Sequence, residues 1–158
     1  CDTKKGATHG TFNAEVTKLM YALPAEETYQ LFECDLASGE EIQLTTQGAL
    51  VGFYAEEDIY FVDIARESLF KFNPGGKHEL IGDGVNILNP HHGVLGNKEL
   101  FFTNTGESGV KALSFNNGKV RDLLPEVEGP ISLSLDNSII YTRKKVVATN
   151  PKLLKYNE

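Results

Sequence analysis

Few residues in this sequence have the types and spacing that chemistry needs. The most site-like run is Asn89-Pro90-His91-His92-Gly93. Two imidazoles and an amide side by side can hold a ligand or pass a proton. Adjacent histidines on a strand point to opposite faces, so they form a poor chelating pair by themselves. No other His or Cys stands at metal-ligand spacing. Asn89, His91 and His92 are therefore candidate ligand-binding residues, with no metal, cofactor or catalytic group assigned. The sequence contains no G-x-G-x-x-G, no G-x-x-x-x-G-K-S/T phosphate loop and no G-x-S-x-G nucleophile elbow. Asp35, Asp63, Asp83, Asp136 and the run Glu56-Glu57-Asp58 stand at turn positions, which gives no basis for a paired-carboxylate hydrolase. Arg143-Lys144-Lys145 reads as a solvated loop, or at most a small patch for an acidic partner.

The two cysteines, Cys1 and Cys34, cannot build a disulfide framework. Cys34 stands where other segments place Phe72, Phe115 and Tyr156, so it reads as a small buried hydrophobe, and spacing does not indicate a bridge to Cys1. The chain starts at Cys1, which admits a mature lipoprotein with its lipid on this cysteine, a trimmed form or a fragment of a longer reading frame. Polar Asp2-Thr3-Lys4-Lys5-Gly6 would suit a tether.

The elements that must position these residues emerge from a repeat. Leu19-Met20-Tyr21, Ile59-Tyr60-Phe61, Leu100-Phe101-Phe102 and Ile139-Ile140-Tyr141 share one pattern, and their aromatics lie 40, 41 and 39 residues apart. Cys34-Asp35, Phe72-Asn73, Phe115-Asn116 and Tyr156-Asn157 recur after 38, 43 and 41 residues. Between Gly48 and Gly84 the unit resolves into strands at Ala49–Tyr54, Ile59–Asp63, Ser68–Asn73 and His78–Ile81. Polar and glycine-rich turns such as Pro74-Gly75-Gly76 separate them. Outer strands are expected at Glu41–Thr45 and Lys119–Leu124, and the last inner strand at Ile131–Leu135. Val16, Leu19, Met20 and Leu23 also fit helical spacing, and Pro24-Ala25-Glu26-Glu27 could open a second helix. The repeat register decides for strands.

A four-stranded unit of about 40 residues marks a β-propeller blade. The expected fold is all-β: about four antiparallel four-stranded blades at 10–48, 48–85, 86–129 and 129–158. Residues 1–9 are either an N-terminal tail or a closing outer strand, so the ring is partial or self-closed. The length, 158 residues, suits one domain that buries about 70% of its unfolded surface. The absence of tryptophan disfavours WD40 blades. Net charge is −7 and no basic stripe is present, which argues against nucleic acid. No apolar run reaches the roughly 18–20 residues of a transmembrane span.

Ile59-Tyr60-Phe61-Val62-Asp63 and Ser68–Gly76 resemble the YWTD repeat of lipoprotein-receptor propellers. Pro130–Thr142 resembles the TolB-type repeat, and bacterial DUF5050-type proteins combine these traits. The acidic residue of the YWTD strand has one match, Asp63, against Leu23, Asn104 and Arg143 in the other units. The resemblance implies a six-bladed parent more often than a four-bladed one. It also implies a non-catalytic binding or scaffold module of an exported protein, periplasmic or extracellular, with Cys1 as a candidate lipid anchor. Such a module would display loops around residues 24–29, 64–67, 88–92, 104–109 and 143–149 to a protein, peptide or glycan. The alternatives are a metal-dependent propeller lactonase or lyase using His91 or His92 with Asn89, and the gating propeller of a prolyl-oligopeptidase-type peptidase.

Overall fold

The computed structural model describes residues 6–26, 28–46, 48–75, 77–96, 98–134, 138–143 and 153–156, with backbone alone at 128, 140–143 and 153–156. They form four antiparallel sheets in chain order. The first contains β1 (Thr8–Phe12), β2 (Lys18–Ala25), β3 (Thr28–Asp35) and β4 (Glu41–Gln43). The second contains β5 (Ala49–Ala55), β6 (Asp58–Asp63), β7 (Ser68–Lys71) and β8 (Glu79–Asp83). The third contains β9 (Gly93–Leu95), β10 (Glu99–Phe102), β11 (Val110–Ser114) and β12 (Val120–Leu124). The described part of the fourth is β13 (Val127–Leu133), β14 (Ile139–Arg143) and β15 (Leu153–Tyr156). Within each sheet the strands follow one another, and the first strands β1, β5, β9 and β13 pack in succession. That is the blade arrangement of a β-propeller, with β4, β8 and β12 at the outer rim.

The repeat aromatics all fall on second strands: Tyr21 on β2, Phe61 on β6, Phe102 on β10 and Tyr141 on β14. The helical alternative over residues 14–37 is not taken; Lys18–Ala25 pairs with Thr28–Asp35 along its full length. Positive φ values recur with the same period, at Val16, Glu56 and Lys98 in the first turn of the first three blades, 40 and 42 residues apart. Tight hairpin turns demand that backbone region even from residues that dislike it.

Outer strands are shorter or shifted relative to the sequence pattern. The expected Glu41–Thr45 strand ends at Gln43, because Leu44 and Thr45 both donate to the Leu31 carbonyl as the chain crosses inward. His78 stays in its turn, accepting the Asn73 N–H at Nδ1. Thr8 and His9 belong to β1 and pair into the first sheet.

Blades are joined by apolar faces. Met20, Ala22 and Leu31 of the first blade pack with Val51, Phe53 and Val62 of the second, all buried. Gly52 makes that approach fit: a Cβ there would lie 2.5 Å from the Met20 Sδ. Between the third and fourth blades the core is Val110, Val127, Ile131 and Ile139. Cys34 is fully buried, as expected, but it is disulfide-bonded, which corrects its reading as a plain hydrophobe. Separation along the chain carried no sign of that bond. Cys1, Asp136 and Lys144-Lys145 lie outside the described residues.

Candidate functional site

In an up-and-down blade the second-to-third-strand loops and the crossings to the next blade share one end. Those segments are residues 64–67 and 103–109, and the crossings 44–48 and 84–92. Hydrogen bonds tie them across blades. Glu67 accepts from Asn86 Nδ2 at 3.1 Å, and its carbonyl accepts the Val85 N–H at 2.8 Å. Asn86 N–H donates to Asn104 Oδ1 at 2.7 Å, while Asn104 Nδ2 donates to the Gly84 carbonyl at 3.1 Å. Asn104 is buried, so each of these bonds satisfies a group that would otherwise be costly to desolvate. The second and third blades thus fix the crossing between them.

Asp63 stands at the matching position one blade earlier. Its Oδ1 accepts the Arg66 N–H, and it packs against Gly48, where a Cβ would sit 2.8 Å from Oδ1. Asn104 bonds to its crossing, whereas Asp63, aligned with it by the repeat, holds its own loop at Arg66 and packs against Gly48 of the crossing. The other turn acids behave likewise. Asp35 Oδ1 accepts from Ala37 N, Ser38 N and Ser38 Oγ, and hydrogen bonds from Ser38 hold its pKa below the ordinary value. Asp83 accepts from Ser68, and Asp58 pairs with Lys71.

Asn89, His91 and His92 lie on the crossing into the third blade, at this same end. The segment is a 3-10 turn, Pro90–His92, rather than a strand. Pro90 presets φ for its first position, and Asn89 Oδ1 accepts the His91 N–H at 2.9 Å. The Gly93 N–H then bonds the Pro90 carbonyl, and Thr103 N–H bonds the His92 carbonyl at 2.8 Å. Gly93 is required by packing, since a Cβ would meet Ile87 and Phe53 at 2.9 Å. His91 is exposed and His92 half-buried.

The structure adds a residue that sequence reasoning passed over. His9, on β1 of the first blade, shares a hydrogen bond with Thr8 Oγ1 at Nδ1, 2.7 Å long, and its pKa responds to the Leu88 backbone and to the charge of His91. Burial holds its pKa below 6.5, the Leu88 contact opposes that, and His91 pushes it further down. His9 and His91 are 82 positions apart, and only the packing of β1 beside β5 and the turn brings them together. Among the described residues no three His, Cys, Asp or Glu side chains gather as a metal-holding group.

A second polar cluster lies at the opposite end, in a groove of about 880 Å³ between the first two blades. Buried Glu33 accepts from Lys18 Nζ at 2.8 Å and from the Tyr54 hydroxyl at 3.0 Å. Burial, then the Glu33 charge, raises the Tyr54 pKa far above its ordinary value, so the phenol remains a donor. The Glu33 hydrogen bond raises the Lys18 pKa. Both carboxylate oxygens are occupied, which makes this cluster a blade-to-blade fastener.

Comparison with solved structures agrees with the architecture. TolB from Acinetobacter baumannii matches with a TM-score of 0.70 at 15% identity, over 90% of this chain and 39% of that one. A streptogramin B lyase matches with a TM-score of 0.64 at 16% identity, over 96% of this chain and 54% of that one. Virginiamycin B lyase from Staphylococcus aureus matches with a TM-score of 0.62 at 12% identity, over 99% of this chain and 57% of that one. No family model and no curated protein matches the sequence. The chain has the β-propeller fold and spans 39–57% of the length of these structures.

Proposed function

We propose that the chain is part of a non-catalytic propeller module of the TolB-like and YWTD-like, DUF5050-type group. It recognises a protein, peptide or glycan at its loop end, with Asn89, His91 and His92 among the contacts. The supporting observation is the hydrogen-bonded chain Glu67–Asn86–Asn104–Gly84, which holds loops of adjacent blades in one fixed display. Preorganised loops bind at a reduced ordering cost. The location we assign is periplasmic or extracellular. The disulfide-bonded Cys34 supports it, since such bonds persist in oxidising compartments. Among the described residues no helix is long and apolar enough to cross a membrane.

The test is a peptide and glycan array probed with the chain and with a His91→Ala/His92→Ala variant. The reading requires at least one array member whose binding drops tenfold or more in the variant. Binding that the variant leaves unchanged overturns it. A second reading, a metal-dependent lyase-type activity at His91 or His92 with Asn89, draws on the lyase neighbours and on the approach of His9 to His91. Titration with Zn²⁺ or Mn²⁺, followed at the histidine imidazole resonances, separates the two.

A further inference from the structure

The flank of the second blade, where the 64–67 loop meets the outer strands, carries chemistry that Asn89, His91 and His92 do not use. Two adjoining hollows, of about 740 and 350 Å³, share Arg66, Phe70, Lys77 and His78. They open on the outer half of the second blade, where the short β4 stops at Gln43 while β8 runs from Glu79 to Asp83. An aromatic pair forms the floor: Phe61 and Phe70 stack across strands at 5.6 Å. Basic groups sit on both rings. The Arg66 guanidinium lies 5.9 Å from the Phe70 centroid, and the His78 ring meets Phe61 edge-on at 5.0 Å. Leu80, opposite Phe70 on β8, is 52% exposed and extends the apolar floor.

The polar groups are held in place. Arg66 Nε lies 3.5 Å from Asp63 Oδ2, so one edge of the guanidinium is anchored. Arg66 has no ion-pair partner besides Asp63 among the described residues, and Lys77 has none. Asp83 accepts from Ser68 Oγ at 2.7 Å. His78 Nδ1 accepts the Asn73 N–H, which leaves Nε2 as its donor position. Asp63 is thus paired and Asp83 holds one hydrogen bond from a hydroxyl, while Arg66, Lys77 and His78 keep donors to offer. A planar guanidinium presenting one open edge matches a carboxylate, and a half-buried aromatic beside it matches an apolar group.

We propose that this groove binds a carboxylate carried next to an apolar body, with the acid on Arg66 and Lys77 and the apolar part on Phe70 and Leu80. Such a group occurs at the C-terminus of a peptide ending in an apolar residue and, with a ring face in place of the side chain, in a sugar acid. The site shares the 64–67 loop with the loop end but uses none of Asn89, His91 and His92, and it is built from the first two blades alone.

Chemical-shift titration of the labelled chain with N-acetyl-L-phenylalanine, its neutral amide and galacturonate tests it. One of the two acids is expected to saturate, with shifts concentrated at Arg66, Ser68, Phe70, Lys77 and Leu80. The acid that does so identifies the peptide or the sugar source. The amide should bind roughly tenfold more weakly or not at all, and Arg66→Gln should weaken the acid by a similar factor, as loss of a charged hydrogen bond implies. The Arg66 side chain is 70% exposed, so this variant keeps its fold; Leu80→Ser is the second, independent variant and should weaken the acid that saturates by removing its apolar contact. No saturation by either acid, equal binding of the amide, or shifts that persist in Arg66→Gln would overturn the proposal.

Discussion

Tyr54 and His9 show how single side chains report on blade contacts. Tyr54 donates to buried Glu33 on the neighbouring blade. Tyr54→Phe removes that donor and leaves Glu33 with Lys18 alone, so it should cost about 1.5–3 kcal/mol. Urea unfolding measures this. The Tyr54 pKa is raised on folding, so its contribution is complete below the ordinary value of 10.0 and is lost as pH rises above it. The wild type should therefore lose stability above pH 10.0 more steeply than Tyr54→Phe. His9 has the opposite sign. Its pKa is lowered from 6.5, so its contribution is complete above that value and is lost as pH falls below it. Denaturant midpoints from pH 7 down to pH 5 should fall for the wild type and flatten in His9→Gln; parallel curves would remove His9 from the account. At this scale the sequence was only partly legible. Asn89-Pro90-His91-His92 was visible as a segment, but its 3-10 geometry depends on the Asn89 cap and on Pro90, which a strand reading ignores. His9 was not visible, because its neighbours come from sheets that pack far along the chain.

Elements were easier to read than sites. Twofold alternation and a period near 40 residues placed the second strands, whose aromatics Tyr21, Phe61 and Phe102 are all buried. Strand ends were harder to place, since they depend on where the chain leaves one sheet for the next, as at Leu44 and Thr45. Glycines mark these junctions. Gly118 has φ +66, and a Cβ on it would lie 2.6 Å from the Ile81 carbonyl oxygen of the preceding blade. Gly75, in the corresponding turn one blade earlier, has φ +67 but nothing within 4 Å. The pair separates backbone cost from packing cost. Gly75→Ala should lose about 1 kcal/mol from conformation alone. Gly118→Ala carries the same term plus displacement of a rigid carbonyl, and should lose about 2–3 kcal/mol. Equal losses in thermal unfolding would mean that the second and third blades separate there without resistance.

Across the whole molecule, stability depends on blade contacts that repeat and on one covalent link that does not. The repeat made the propeller legible, but a disulfide leaves no periodic trace. Cys34 lies at the end of β3 in the first blade, fully buried and disulfide-bonded. The other cysteine of the sequence is Cys1, so the expected bridge closes a loop of roughly 34 residues. Chain-entropy arguments assign such a loop about 3–4 kcal/mol, which for a chain of this size corresponds to roughly 10 °C in melting temperature. Reduction, or Cys34→Ser, should lower the melting temperature by about that amount. Non-reducing proteolysis with mass spectrometry should recover Cys34 joined to Cys1. The same experiment weighs the lipid-anchor expectation, because a sulfur in a disulfide cannot also carry a thioether-linked lipid. Alkylation of Cys34 without prior reduction, together with an added lipid mass on the Cys1 peptide, would reverse this prediction and place the chain on a membrane surface.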